Sequence, residues 1–172
     1  MCASLPRRTV TLDHPTPSPR PPPRRSPGRG EIMTTLNPYI SFTGNAREAM
    51  EFYRDVFGGH LTIDTFGEAG LGDDPATAAQ VMHAMLVTDE DLTLMASDAP
   101  PGMDVTVGDN VQISLSGPAE DEIELLGYWE RLSASGSVDM PLERAPWGDH
   151  FGACTDGFGI RWMVNIGGGQ AA

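Results

Sequence analysis

Lysine is absent from this 172-residue chain, and cations of any kind are scarce: eleven arginines stand against 24 acidic residues. A net charge of −13 repels a phosphate backbone, so nucleic-acid binding is not expected. Cysteine is nearly absent as well. The two present, Cys2 and Cys154, supply no disulfide framework. With no secretory h-region to read, the expected compartment is a reducing cytoplasm. No apolar run approaches the roughly 18 residues that a membrane-spanning helix needs. What the chain does have is 40% hydrophobic residues, enough for a packed core.

The charge is unevenly placed. Residues 1–32 hold six arginines, two acids and eight prolines, a net of +4, with almost no apolar periodicity. Such a segment cannot bury enough surface to offset its ordering entropy and is expected to be disordered. Met33 is then the expected start of the native protein, and residues 33–172 a single domain. That domain holds five arginines and 22 acids, a net of −17.

Within it, NPYISFTGNA at 37–46 has a near-echo in NVQISLSGPA at 110–119, an offset of 73 (110 − 37). In the first copy Tyr39–Phe42 alternates like a short strand. Asn45, three residues before Glu48, suits a helix N-cap with a capping partner. Ala46, Ala49, Met50, Tyr53, Val56 and Phe57 follow at helical spacing, and Gly58-Gly59 stops the run. Three strands are expected next, at His60–Phe66, Val81–Thr88 and Leu92–Ser97, with one helical turn in the loop before Val81. The second copy repeats the plan: a strand over Val111–Leu115, and a helix starting near Pro118 and ending at Gly136. Its expected apolar face is Ile123, Leu126, Trp129 and Leu132. Strands then follow over Ser137–Glu143, His150–Thr155 and Ile160–Ile166. Two weaker echoes support the duplication: His83 and His150 at an offset of 67 (150 − 83), and Met95 and Met163 at 68 (163 − 95).

The expected class is therefore α+β, with two tandem βαβββ modules over about 36–98 and 110–167. A helix covers only one face of each sheet. The uncovered faces are expected to form a curved mixed sheet around a trough, where a ligand would sit.

The stretches NPYISFTGNAREAMEFYRDVFGG, VMHAML, LTLMASDAPPGM, WGDHFG and TDGFGIRWMVN, in this order and spacing, resemble the vicinal oxygen chelate superfamily. That superfamily includes glyoxalase I, extradiol dioxygenases and bleomycin-resistance proteins, and the likeness is to its PhnB-like branch. In the metal-using relatives a divalent ion is held by His or Gln from the first strand of each module and Glu from the last. The resemblance carries those places to Asn37, Tyr39 or Ser41, to Asn110, Gln112 or Ser114, and to Met95 and Met163. A thioether is a poor ligand for hard or borderline cations. The metal quartet is therefore expected to be missing, and no cofactor is predicted.

Alternation turns Ile40, Phe42, Val111, Ile113 and Leu115 towards the helices. Tyr39, Ser41, Gln112, Ser114, Met95 and Met163 then face the trough as ligand-binding candidates, with His83. Trp147, Asp149 and Phe151 read either as a pocket lip or as a turn anchor. His83 and His150 can face one another across the trough and, with Glu143 or Asp149, form a relocated metal site or supply a general base. They can equally be strand-end histidines bonded locally. Cys154 has no cationic neighbour in sequence and is not expected to be reactive.

Three functions remain open: a metal-free small-molecule-binding protein, a divalent-metal-dependent lyase, isomerase or dioxygenase, and a bleomycin-resistance-like drug-sequestering protein. Relatives are commonly homodimers, so a homodimer is expected.

Overall fold

Alternating burial along most of the strands and a 3.6-residue period along two helices build the molecule. The computed structural model describes residues 34–168 apart from Asp73 and Pro101. The expected disordered tail at 1–32, the start at Met33 and Cys2 lie outside the described residues.

The element order is β1 (Tyr39–Phe42), α1 (Ala46–Phe57), β2 (His60–Thr65), α2 (Pro75–Ala79), β3 (Val81–Val87), β4 (Thr93–Asp98), β5 (Ile113–Gly117), α3 (Glu122–Ala134), β6 (Ser137–Arg144), β7 (His150–Thr155) and β8 (Arg161–Ile166). Two four-stranded mixed sheets result, ordered β1-β4-β3-β2 and β5-β8-β7-β6. In each, the first strand runs parallel to the last and the other pairs are antiparallel. Both βαβββ modules are thus present.

The six apolar positions expected on α1 are all buried. Its start is held differently from the expected way. Asn45 occupies the N-cap position but its side chain makes no capping bond. The buried Asp98 carboxylate, at the end of β4, accepts instead from the backbone N–H of Gly44 (2.8 Å), Ala46 (3.0 Å) and Val81 (2.9 Å). A carboxylate near a helix N-terminus also suits the helix dipole. Short α2 is capped conventionally: Asp74 accepts from Ala76 and Thr77, and Pro75 stands where its missing N–H costs nothing.

Two details of the second copy depart from the sequence pattern. The strand begins at Ile113, leaving Val111 76% exposed rather than facing a helix. On α3 the buried residues are Leu125, Tyr128 and Leu132, while Ile123 is 88% exposed and Leu126 is also exposed. Apolar residues occur on two adjacent stripes of this helix, so its period alone does not choose between them. The partner chooses: Phe57 of α1 packs edge-on to Tyr128, with ring centroids 5.0 Å apart.

One core serves both modules. Trp162, Tyr53, Met50, Leu86 and Leu132 are its largest fully buried side chains. Burial of each contributes about 1.5–3 kcal/mol. Phe57 meets Trp162 at 5.4 Å, Phe158 meets Phe52 at 5.5 Å, and the Arg131 guanidinium donates to the Val56 carbonyl at 2.6 Å.

Ladder register defines the true equivalences between modules. Tyr39 pairs with Met95 as Ser114 pairs with Met163, and Ala84 pairs with Ala96 as Gly152 pairs with Val164. The first strands therefore correspond at an offset of 75 (114 − 39) and the last two strands of each module at 68 (152 − 84 and 164 − 96). The offset of 75 also carries the buried trio Met50, Tyr53 and Phe57 onto Leu125, Tyr128 and Leu132.

Candidate functional site

In β1 and β4, residues whose neighbours are buried alternate with residues left on the uncovered face of the first sheet. Tyr39, Ser41, Met95 and His83 share that face. Tyr39 lies opposite Met95 in the ladder, and its ring stacks on the His83 imidazole with centroids 5.8 Å apart. The Tyr39 hydroxyl is 3.4 Å from His83 Nδ1. Asp64 is the cross-strand partner of His83 on β2.

The uncovered face of the second sheet carries Ser114, Met163 and Phe151. Ser114 stands opposite Met163, and its hydroxyl is 3.1 Å from that of Ser116. Trp147, 63% exposed, meets Phe151 edge-on at 5.8 Å. Gln112 lies just before β5, half-buried. Asp149 has its oxygens engaged: Oδ2 accepts from Asn165 Nδ2 at 3.0 Å and Oδ1 from the Gly168 N–H at 2.8 Å. Those bonds, the backbone one first, hold its carboxyl below the usual range.

His83 and His150 do not share a face. His150 pairs with Ile166, whose side chain is in the core, so the imidazole projects to the helix side. There its Nδ1 lies 3.6 Å from Glu122 at the start of α3. The echo at 67 is one residue out of the structural register of 68, and in a strand one residue reverses the face. The structural counterpart of His83 is Phe151. Glu143 lies opposite Phe151 on β6, exposed. Among the described residues no group of three or more His, Cys, Asp or Glu is placed to hold a metal ion. The donors at the places the resemblance marks, hydroxyls, neutral amides and two thioethers, do not fit a hard divalent cation.

A cleft of about 480 Å³ runs along the edge of β1, beneath the segment that links the modules. Tyr39 and Ser41 line it together with Met103, Val105, Ile160 and Arg161. Two of the ten ligand candidates thus border a cavity, and the others do not line it. The linker residues and Arg161 were not among the candidates. Arg161 had a legible signal: it stands two before Met163 on β8, hence on the same face. The linker had none, because its residues follow no period.

Residues 35–164 match the family model described as Glyoxalase/Bleomycin resistance protein/Dioxygenase superfamily. The protein YjdN of Escherichia coli is 28% identical over 145 residues, covering 76% of this chain and 94% of that protein. The crystal structure of protein PA1353 from Pseudomonas aeruginosa superposes with a TM-score of 0.65 at 35% identity, covering 78% of this chain and 98% of that one. The PhnB protein from Bacillus cereus gives 0.61 at 23% identity, covering 77% and 99%.

Proposed function

Since the chain belongs to the glyoxalase/bleomycin resistance protein/dioxygenase superfamily, we propose that it is a PhnB-like small-molecule-binding protein that works without a divalent metal. The observation that carries this is the pair Met95 and Met163, each opposite a hydroxyl-bearing first-strand residue in its own sheet. Where metal-using relatives present carboxylates, this chain presents thioethers, which are poor ligands for a hard or borderline cation. The ligand is assigned to the cleft beside Tyr39 and Ser41. A cytoplasmic homodimer belongs to the same proposal. Exposed apolar side chains around the cleft, Met103, Val107 and Val111, support it, since such patches mark association or ligand sites.

The Tyr39–His83 contact favours a second possibility, an enzyme in which His83 acts as acid or base. A metal-dependent version would need ligands brought to His83 from elsewhere, since among the described residues of one chain no three His, Cys, Asp or Glu are grouped to hold an ion.

Native mass spectrometry of the protein purified without chelator separates these. The expected species is a metal-free dimer, with any retained organic ligand reporting its own mass. Stoichiometric divalent metal would overturn the metal-free proposal, and a monomer the dimeric one.

A further inference from the structure

Arginine is the only permanently cationic residue type in this chain, and residues 33–172 hold five of them against 22 acids. Arg54 is paired with Asp55, and Arg131 is spent on the Val56 carbonyl and the Tyr128 ring. Arg47 lies on α1 and Arg144 on β6, away from the cleft. Arg161 alone of the five lines the cleft. It is half-buried, and its Nη1 donates to the Asp109 carbonyl at 2.8 Å. Among the described residues that is the one hydrogen bond of its side chain, which has no ion pair. A guanidinium carries five N–H donors in a rigid fork, so most of its donors are unused and one side of it is fixed in place. Asp104 also lines the cleft but is exposed and forms no ion pair with Arg161.

We infer that the cleft takes an organic anion whose oxyanion head binds the Arg161 fork and whose apolar body lies against Met103, Val105 and Ile160. This rests on the small-molecule proposal above and adds the ligand's charge class. Three features agree on it. The fork matches carboxylate and phosphate geometry bidentately. Tyr39, Ser41 and Thr106 bring hydroxyl-bearing side chains to a lining that, Asp104 and Arg161 apart, is apolar side chain or glycine. The volume of about 480 Å³ falls within the roughly 300–1,000 Å³ of small-molecule sites. The surrounding net charge is strongly negative and disfavours anions at long range. A preference for an anion therefore has to come from a local cation, and Arg161 is the one available in the cleft.

The test uses three probes of one shape, 4-phenylbutyrate, 4-phenylbutanol and 4-phenylbutylamine, titrated into the full chain and followed by backbone amide NMR. The expected result is that the carboxylate shifts the amides of Ser41, Thr106 and Gly159 and binds about tenfold more tightly than the alcohol, with the amine weakest. Arg161→Gln should weaken the carboxylate about tenfold and leave the alcohol unchanged. Arg144→Gln, which removes the same charge outside the cleft, should change neither. Equal binding of all three probes overturns the anion assignment while leaving the small-molecule proposal standing. So does an equal loss in Arg144→Gln and Arg161→Gln. If no probe perturbs the cleft amides, both proposals fall. The wild-type comparison decides the matter even if Arg161→Gln does not fold.

Discussion

The Tyr53 hydroxyl of the first module donates to the Asp156 carboxylate of the second at 2.8 Å, deep in the shared core. Trp162 Nε1 donates to the same oxygen at 2.8 Å, and the N–H groups of Phe158 and Ile160 donate to the other at 2.9 and 3.0 Å. Burial, then the neighbouring Asp156 charge, push the Tyr53 phenol well above its ordinary range, so it remains a donor. Tyr53→Phe removes one of four donors and should cost about 1.5–3 kcal/mol. Asp156→Ala strands all four and should cost more than twice as much, or prevent folding. Urea unfolding of both variants checks this. Equal costs would mean that the carboxylate is not the centre of the cluster.

The duplication, the element order and nearly every strand were readable in the sequence because alternation and helical period survive divergence. The registers between the copies were not. The echo at 73 differs from the structural 75 by two, so Tyr39, Ser41 and Ser114 kept their faces. The echo at 67 differs from 68 by one, and that single residue separates His83 from His150. Side-chain identity had suggested an equivalence that backbone pairing does not respect. The α3 face held at Leu132 and in part at Trp129 but not at Ile123 and Leu126, for a related reason, since contact with Phe57 distinguishes its two apolar stripes. The Asp98 cluster and the Tyr53–Asp156 bond join residues 17 to 103 positions apart and leave no periodic trace.

Gly59 and Gly136 mark the same place in the two modules, where a helix exit crosses the end of β3 or β7. A Cβ on Gly136 would stand 2.1 Å from the Thr155 carbonyl oxygen, and one on Gly59 2.3 Å from that of Val87. Both obstacles are backbone, which cannot swing away. Gly136→Ala should therefore destabilise by about 1–3 kcal/mol, in the range of overpacked sites. Gly127→Ala, whose nearest contact is the flexible end of Arg131 at 3.7 Å, should be neutral or stabilising. Thermal melts of the two variants give the comparison. Similar melting points would show that the helix exit relaxes freely.

Asp149 ties Asn165 and Gly168 to the β6–β7 loop, and its carboxyl is held below its usual 3.8 by the Gly168 N–H and then by Asn165. A carboxyl whose folded value is lowered stabilises above the unfolded value and loses that contribution as pH falls through the folded one. Asp149→Asn should melt earlier than the wild type at pH 7, with the gap closing as both are taken below pH 3.8. Melting curves at pH 7 and pH 2.5 test the sign. A gap that persists undiminished in acid would assign the loss to shape rather than charge.

Cys154 behaves in the opposite sense. Burial, then the Asp156 and Asp139 charges, push its thiol from 9.0 up to about 11. The folded state keeps the proton while the unfolded chain releases it. The contribution is therefore complete below pH 9.0 and declines as pH rises towards 11. Tyr53 and Tyr128 are also raised and share the alkaline loss, so the thiol is isolated by difference. The urea midpoint of Cys154→Ala should fall less steeply between pH 8 and pH 10 than that of the wild type. Parallel slopes would remove the thiol from the alkaline transition. At pH 8 the Cys154 peptide should also escape alkylation until denaturant is added.

Metal selectivity gives a gain-of-function test of the thioether argument. Met95 stands on the uncovered face opposite Met85, diagonal to His83, and Asp64 is the cross-strand partner of His83. Met95→Glu would add a carboxylate to an imidazole and a carboxylate already on that face. The wild type should show no change in melting point with 1 mM nickel or manganese, and none after chelation. The variant should be stabilised by the added metal, by about 2.7 kcal/mol if the concentration is a hundred times the dissociation constant. A variant that ignores metal would show that these side chains do not converge, leaving the thioether untested as the obstacle. A wild type that already responds, and loses its response on chelation, would mean that the chain binds a metal with ligands other than those at its family positions. The metal-free proposal would then fail.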